Sequence, residues 1–153
     1  MQRQFKFTKK DFEKIQKFVN DIDKDIKIKK GRCFECVVPD KKVFISHKKY
    51  DYESEIFTKF LEQNDNIKIN FILIALLHEI GHIKTYNKKL EQQRTILYSI
   101  YNCLNRLKII SVDKLNQKYF MIPDERQATL WGLEYYKNNK NKCDKLVQEL
   151  GIM

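Results

Sequence analysis

Apolar side chains near the start of the chain recur with the three- and four-residue spacing of a helix that buries one face. They form a single stripe: Phe12, Ile15, Phe18, Val19 and Ile22. Thr8 precedes them, and Asp11 follows it at the spacing typical of a helix N-terminus. The sequence therefore predicts an amphipathic first helix that begins near Thr8.

Two runs with the composition of β-strands follow. They extend from Cys33 to Val38 and from Lys42 to His47, and the turn-like segment "PDKK" separates them. This arrangement predicts a hairpin of two antiparallel strands. A second helix is predicted over "DYESEIFTKFLEQN", with four residues facing inward: Ile56, Phe57, Phe60 and Leu61.

The most apolar stretch of the chain is "INFILIALLHEIGHIKTY", which runs from Ile69 to Tyr86. From Ile69 through Ile83 it is apolar nearly all the way round a helix, which is typical of a helix at the centre of a fold. It contains two histidines and a glutamate. Because a buried ionised group is costly unless something compensates it, this stretch is the first candidate for a functional site.

The second half of the sequence predicts further helices. The first covers "NKKLEQQRTILYSIYNCLNRLKII", with its apolar side at Leu90, Ile96, Leu97, Ile100, Tyr101 and Leu104. Ser111 is placed to cap a short helix over "VDKLNQKYF", and Pro123 suits the first turn of "PDERQATLWGLEYYKNN". The last helix, "KCDKLVQEL", ends before Gly151. The predicted fold class is α+β, mostly helical, with a small antiparallel hairpin packed against the central helix.

The length and the net charge of the chain limit the kinds of protein that it can be. A chain of 153 residues fits one domain with a substantial core. Its net charge of +10 attracts polyanions, but the basic residues alternate with acids along the chain, which favours solvated faces over a nucleic-acid groove. The N-terminus lacks the apolar core of a signal peptide, and no apolar run reaches the roughly 20 residues that span a bilayer. The sequence predicts a cytoplasmic protein without a membrane partner.

The cysteines do not form a dense disulfide framework, and a reducing compartment keeps them as thiols. Cys33 and Cys36 have the two-residue spacer of a zinc knuckle. Cys103 and Cys143 lie too far apart to supply a second matching pair. The alternation of Cys33 to Cys36 is that of a strand, so an ordinary hairpin is the favoured interpretation.

His78, Glu79 and His82 form the pattern His-Glu-x-x-His. Histidines four residues apart on a helix project from one face and can reach the same ion. Neutral imidazole nitrogens suit Zn²⁺, which lowers the pKa of water from about 15.7 to about 7. Glu79, beside the first histidine, is placed to take a proton from that water. The sequence predicts a zinc site with His78 and His82 as ligands and Glu79 as the catalytic base.

A catalytic zinc needs a third protein ligand and an open position. No histidine follows His82, which excludes the metzincin and SprT-type patterns. Glu125, in the first turn of a later helix with small Ala128 one turn on, is the predicted third ligand. Other glutamates are less suited: Glu91 is too near His82 in sequence, and Glu134 and Glu149 lie among surface residues. Peptide deformylases place a cysteine ligand about where Cys36 lies, but their other signatures are not matched.

Two short motifs, "HEIGH" and, about forty positions later, "ERQATLWG", resemble those of the ImmA/IrrE family of cytoplasmic, gluzincin-like metallopeptidases. The second motif is similar to Glu-x-x-Ala-Asp-x-Phe-Ala, with Glu125 as ligand, Ala128 as the small residue and Trp131 in the aromatic place. The order of hairpin, motif helix and ligand helix also matches. The departures are Thr129, where the family has an acid that can orient a ligand histidine, and Gly132, where it has alanine.

The resemblance implies a single zincin-like metallopeptidase domain over residues 1–153 and a zinc-dependent endopeptidase. Its substrate would be a specific cytoplasmic protein, in this family typically a helix-turn-helix repressor of a mobile element. The residues themselves imply metal-assisted hydrolysis only. The alternative is a catalytically inactive, zinc-containing binding protein that engages nucleic acid or a host protein. Glu79 favours the enzyme, because a purely structural site has no use for a glutamate beside the first ligand and is normally closed by four protein ligands.

The oxyanion donor and the substrate-binding strand are less determined by sequence. Four residues have the right chemistry to steady an oxyanion: His47, Tyr86, Tyr119 and Tyr135. None is singled out by its position in the sequence. The strand "KVFIS", which precedes the motif helix, is a candidate edge that an extended substrate could join by strand addition.

Overall fold

The computed structural model describes residues 6–47 and 52–152, with the backbone alone for residues 52–55. The elements in chain order are α1 (Lys9–Ile22), β1 (Lys27–Gly31), β2 (Glu35–Val37), β3 (Lys42–Ser46), α2 (Tyr52–Asp65), α3 (Phe71–Lys84), α4 (Lys88–Arg106), α5 (Val112–Phe120), α6 (Pro123–Asn138) and α7 (Lys140–Leu150). The α+β, mostly helical class is confirmed. Asp51, which the sequence placed at the start of the second helix, lies outside the described residues.

The sheet has three strands in the order β1-β3-β2. The predicted hairpin is confirmed: β2 and β3 are antiparallel, with Cys36 opposite Val43. A third strand was not predicted. β1 pairs with the other side of β3 in parallel, with Ile28 opposite Val43, so the sheet is mixed. The proposal that β3 serves as a free edge is therefore wrong, because both of its sides are already paired; β2 has a described partner along one side only.

Helix α3 is the centre of the fold, as the sequence predicts. Every residue from Ile72 to Leu77 is buried. The helix packs against α6, against α2 and against strands β2 and β3. Asn70 fixes its start, because the side-chain oxygen accepts hydrogen bonds from the backbone N–H groups of Ile72 and Leu73. One hydrophobic cluster extends from Phe7 to Ile152 around this helix.

Several predicted helix ends are also confirmed. Thr8 and Asp11 form a capping box at α1, and Ser111 caps α5 through its hydroxyl. Pro123 is the first residue of α6, which places Glu125 in the first turn of that helix. Gly151 ends α7 with a φ of 61°. None of the described helices is long and apolar enough to cross a bilayer.

Helix α4 differs from the sequence prediction. The predicted apolar side includes Ile96 and Ile100, yet these residues are 61% and 47% exposed. No residue of this 19-residue helix is fully buried. The helix rests against α5 and α6 through half-buried residues, Leu90, Leu97, Tyr101 and Leu104 among them. The periodic pattern located the helix, but it did not identify which side the rest of the chain covers.

Candidate metal centre

The two histidines of the motif lie one turn apart on α3 and face α6. His78 and His82 are 8% and 6% exposed. Their Nε2 atoms are 3.2 Å apart, so both imidazoles present a nitrogen to the same point. The four-residue spacing and the helical backbone together produce this convergence.

Small residues allow α6 to approach this face of α3. A Cβ atom built on Gly81 would stand 2.3 Å from the carbonyl oxygen of Ala128, a distance that real Cβ atoms essentially never show. One turn further along α6, a Cβ on Gly132 would lie 3.2 Å from the Cβ of Leu77. The backbones of the two helices therefore meet at glycine and alanine, and Gly132 suits this crossing better than a larger residue.

Glu125 completes the cluster from α6. Its Oε2 atom is 3.0 Å from Nε2 of His78 and 3.2 Å from Nε2 of His82. The residue is 1% exposed. The ligand atoms of the three residues all lie within 4.8 Å of one another, so this buried group could hold a metal ion. Two imidazole nitrogens and one carboxylate oxygen form a ligand set that suits zinc and leaves room for an open position.

The hydroxyl of Thr129 orients His78. It donates a hydrogen bond to the backbone carbonyl of Glu125, 2.9 Å away, and lies 3.0 Å from Nδ1 of His78. Because the hydroxyl proton is already used, Nδ1 carries its own proton and donates to the threonine oxygen. With the proton on Nδ1 held by Thr129, Nε2 is the nitrogen of His78 that would bind a metal ion at the centre of the cluster. Thr129 therefore fixes the orientation of the His78 ring through Nδ1.

Asp124 orients the ring of His82, as Thr129 orients that of His78. Its Oδ2 atom is 3.5 Å from Nδ1 of that ring, and the carboxylate is almost fully buried. Asp124 was not among the site residues predicted from the sequence. The signal in the sequence is a pair of adjacent acids, Asp124 and Glu125, at a helix start.

The other oxygen of Glu125 has its own partners. The hydroxyl of Tyr119 donates to Oε1 at 2.8 Å, and Nη1 of Arg94 lies 3.2 Å from the same atom. Arg94 also lies 3.4 Å from Oδ2 of Asp124. These contacts leave Oε2 facing the histidines, so Glu125 presents one oxygen to the centre. Arg94 and Tyr119 come from α4 and α5, and no local pattern connects them with the ligand.

The electrostatics of the cluster favour a positive charge at its centre. Burial tends to raise the pKa of Glu125, but hydrogen bonds from the two histidines outweigh it and hold that pKa well below its usual range. Burial tends to lower the pKa of His82, but the carboxylates of Asp124 and Glu125 raise it to about 10. A dication bound at this point would displace the proton from Nε2 of His82 and compensate the charge of the same carboxylates.

Glu79 lies outside the ligand group and beside strand β2. The thiol of Cys36 lies close enough to interact with its carboxylate. Burial raises the pKa of Glu79 above that of an exposed glutamate, although His78, His82 and, to a smaller extent, Cys36 act in the opposite direction. Cys36 and Cys33 belong to no group of three potential ligands among the described residues, so no zinc knuckle forms there.

A cleft of about 230 Å³ opens beside the cluster. Its walls come from β2 and the turn after it, from the end of α3, and from the starts of α4 and α6. The lining residues are Cys36, Val37, Val38, Pro39, His82, Tyr86, Glu91, Arg94 and Asp124. The cleft connects His82 with the edge strand β2 and gives the centre access from solvent.

The four candidates for the oxyanion donor have different positions. His47 lies with Nδ1 3.4 Å from the carbonyl oxygen of Gly31, and Tyr135 packs against Trp131 and Phe18. The hydroxyl of Tyr119 already donates a hydrogen bond to Glu125. Tyr86 is the candidate that lines the cleft, and its hydroxyl donates to Glu91 at 3.1 Å.

The other glutamates considered as ligands lie away from the histidines. Glu91 contacts Tyr86, and Glu134 and Glu149 are exposed on α6 and α7.

Comparison of the chain with models of protein families, with curated proteins and with solved structures found no match in any of the three. What the site can do is therefore inferred from its own geometry.

Proposed function

We propose that this chain is a zinc-dependent endopeptidase that cleaves a specific cytoplasmic protein. The observation that carries the proposal is the convergence of Nε2 of His78, Nε2 of His82 and Oε2 of Glu125 on one point, with Glu79 on the same helix as both histidines. This ligand set leaves a coordination position open. A purely structural metal ion would be coordinated by a fourth protein ligand. Among the described residues, no fourth ligand joins His78, His82 and Glu125.

The residues around the centre have separate roles in the proposed hydrolysis. A zinc ion bound here supplies Lewis-acid polarisation of water and of the substrate carbonyl. Glu79 accepts the proton from the attacking water and returns it to the leaving amine. Its raised pKa suits this exchange, because a carboxylate that is too acidic would not take up a proton near neutral pH. Cys36 holds the carboxylate of Glu79 in place from β2.

The edge of β2 that has no strand partner among the described residues is the proposed docking site for the scissile segment. An extended peptide that adds to this edge forms backbone hydrogen bonds with Glu35–Val37 and runs along the cleft toward His82. In strand addition, backbone hydrogen bonds provide affinity, and pockets for alternate side chains provide specificity. Tyr86, which also lines the cleft, would donate to the oxyanion once its hydroxyl leaves Glu91.

The family resemblance supports the choice of substrate class. It implies a cytoplasmic regulator, typically a helix-turn-helix repressor of a mobile element. No observation on the described residues favours the alternative of a nucleic-acid or host-protein binding module with an inactive centre. Arg94, a basic residue in the cleft, already faces the carboxylates of Asp124 and Glu125.

A survey of protein N-termini in producing cells tests the proposal even while the substrate is unidentified. Cells expressing the wild-type chain are compared with cells expressing Glu79→Gln, which keeps the ligands but removes the base. The expected result is one or a few new N-termini that are absent with Glu79→Gln and present with the control Glu134→Gln, a change at an exposed residue of α6. Identical N-termini in all three cultures would contradict the proposed activity.

A further inference from the structure

The cleft beside the metal centre is lined by apolar side chains as well as by charged groups. Val37, Val38 and Pro39 line it from β2 and the turn after that strand. Glu91 and Arg94 line it from α4. Its volume of about 230 Å³ is smaller than the roughly 300 Å³ at which protein pockets begin to hold drug-sized ligands. The cleft therefore has room for one long side chain.

The charged residues of the cleft carry a net negative charge. The carboxylates of Glu91 and Asp124 outnumber the guanidinium of Arg94, which leaves one negative charge when the lining histidine is neutral. A zinc ion bound at the centre would leave this balance unchanged, because its two charges offset those of Glu79 and Glu125. The chain as a whole has a net charge of +10, so the cleft differs in sign from the rest of the molecule. A cleft of one sign attracts ligands of the other.

Glu91 is the carboxylate of the cleft that a ligand can reach. Its side chain is 41% exposed, whereas that of Asp124 is 6% exposed. Arg94 lies 3.4 Å from Asp124 but 4.0 Å from Glu91, so it compensates the buried acid more than the exposed one. Glu91 also accepts a hydrogen bond from the neutral hydroxyl of Tyr86, at 3.1 Å. Because a carboxylate pairs more strongly with a cation than with a neutral donor, a cationic ligand can displace this hydroxyl.

The geometry of β2 directs one substrate side chain into this cleft. Cys36 lines the cleft and lies opposite the buried Val43, so it is on the inner face of the sheet. Residues that lie directly opposite one another on paired strands share a face, and neighbours along a strand alternate. In a peptide added beside β2, the residue opposite Cys36 therefore has its side chain on the cleft side. The side chains of its two neighbours are on the outer face.

We propose that Glu91 selects substrate segments that carry a lysine or an arginine at the position opposite Cys36. This inference rests on the proposed endopeptidase function and on peptide docking at β2. The aliphatic stem of the substrate side chain packs along Val38 and Pro39, and its charged end pairs with Glu91. The same pairing releases the hydroxyl of Tyr86, the proposed oxyanion donor. A cationic substrate thus completes the catalytic centre as it binds.

Peptide affinity tests this selection without requiring cleavage. Short blocked peptides that alternate threonine and valine, which favour an extended strand, differ only at the central position, where they have lysine, norleucine or glutamate. Each carries a terminal dye and is added to zinc-loaded Glu79→Gln protein, which lacks the proposed base. Fluorescence anisotropy measures binding. The lysine peptide should bind about fivefold more tightly than the norleucine peptide, as for a partly exposed charge pair, and the glutamate peptide should bind most weakly.

Two further variants in the Glu79→Gln background assign the preference to a residue. With Glu91→Gln, the lysine peptide should lose its advantage over the norleucine peptide. Glu35→Gln is the matched control and should keep that advantage, because it removes an exposed carboxylate that lies on the outer face of β2. Equal affinity for the lysine and norleucine peptides in the protein that retains Glu91 would overturn the proposal. So would a lysine preference that persists in Glu91→Gln, because another acid would then be the selective group.

Cleavage of the same peptides by the wild-type chain separates this inference from the proposed function. Binding that depends on Glu91, with no cleavage of any peptide, would support the selection and contradict the endopeptidase. Cleavage of all the peptides at one rate would support the endopeptidase and contradict the selection. In Tyr86→Phe the lysine peptide should keep its advantage in affinity and lose its advantage in kcat, as expected for a hydroxyl that acts after binding.

Discussion

Gly81 lies directly against the backbone of Ala128, so that a Cβ atom on Gly81 would stand 2.3 Å from the carbonyl oxygen of Ala128. The obstacle is backbone, which cannot rotate away as a flexible side chain would. Gly81 is the residue before His82, and Ala128 is one turn after Glu125. The separation of these two backbones therefore sets the distance between the ligands on α3 and the ligand on α6.

The alanine variant of Gly81 tests this relationship. Gly81→Ala should push the helices apart and destabilise the metal-free protein by about 1–3 kcal/mol, more than the roughly 1 kcal/mol that alanine gains over glycine within a helix. Zinc affinity should fall as well. Urea unfolding and a zinc titration check both effects. Gly132→Ala is the matched control: its Cβ would meet a side chain at 3.2 Å, and its effects should be smaller.

A second prediction concerns Thr129 and the tautomer of His78. Thr129→Val keeps the shape but removes the acceptor for Nδ1, so the affinity for zinc should fall by about 10- to 100-fold. Thr129→Ser keeps the hydroxyl and should restore most of the affinity. Competition with a chromogenic chelator measures both. Equal zinc affinity in the valine and wild-type proteins would mean that the hydroxyl does not orient the ring.

Tyr119 provides a third test, because its hydroxyl holds the outer oxygen of Glu125 at 2.8 Å. In Tyr119→Phe the carboxylate keeps Arg94 as a partner but gains rotational freedom, so zinc affinity should fall by about tenfold. Tyr98→Phe is the control, since the Tyr98 ring packs edge-on against Tyr119 and is 45% exposed. A similar loss in both variants would attribute the effect to packing and not to the hydrogen bond.

The ion pair between Asp65 and Arg126 joins α2 to α6 and makes stability depend on pH. Two guanidinium nitrogens lie 2.8 and 2.5 Å from the two carboxylate oxygens, and this hydrogen bonding lowers the pKa of Asp65 below its usual 3.8. Its stabilisation is therefore full above the unfolded-state pKa and disappears as the pH falls through the lower, folded-state pKa.

Asp65→Asn is the change that reveals this contribution. The variant should unfold about 1 kcal/mol more easily than wild type at pH 7, a modest value because both side chains keep some contact with water. The difference between the two proteins should shrink below pH 4 and approach zero in stronger acid. Urea unfolding at several pH values measures it, and a difference that stays constant with pH would contradict the ionic origin.

Local sequence patterns were sufficient for most elements of the fold and for the positions of the three proposed ligands. The spacing of His78 and His82, Pro123 before Glu125, and small Ala128 are all features of a few consecutive residues. They determine which side of a helix a group occupies and how closely another backbone can approach.

The contacts that hold those ligands were not predictable in the same way. Arg94 and Tyr119 reach Glu125 from other helices, and nothing near them in sequence marks them. β1 contains a single apolar residue, Ile28, so its pattern does not resemble a strand until β3 is beside it. Ile96 and Ile100 of α4 share the apolar periodicity of its half-buried residues, so the pattern alone does not show which side of the helix the described residues cover.

Zinc binding by the purified chain tests the central claim most directly. Metal analysis and chelator competition should give one zinc per wild-type chain and the same for Glu91→Gln, which changes a carboxylate of the cleft that does not contact the histidines. Glu125→Gln should bind at least about tenfold more weakly, as should His78→Ala. Full zinc retention by Glu125→Gln, with wild-type affinity, would contradict the assignment of the third ligand and the site described above.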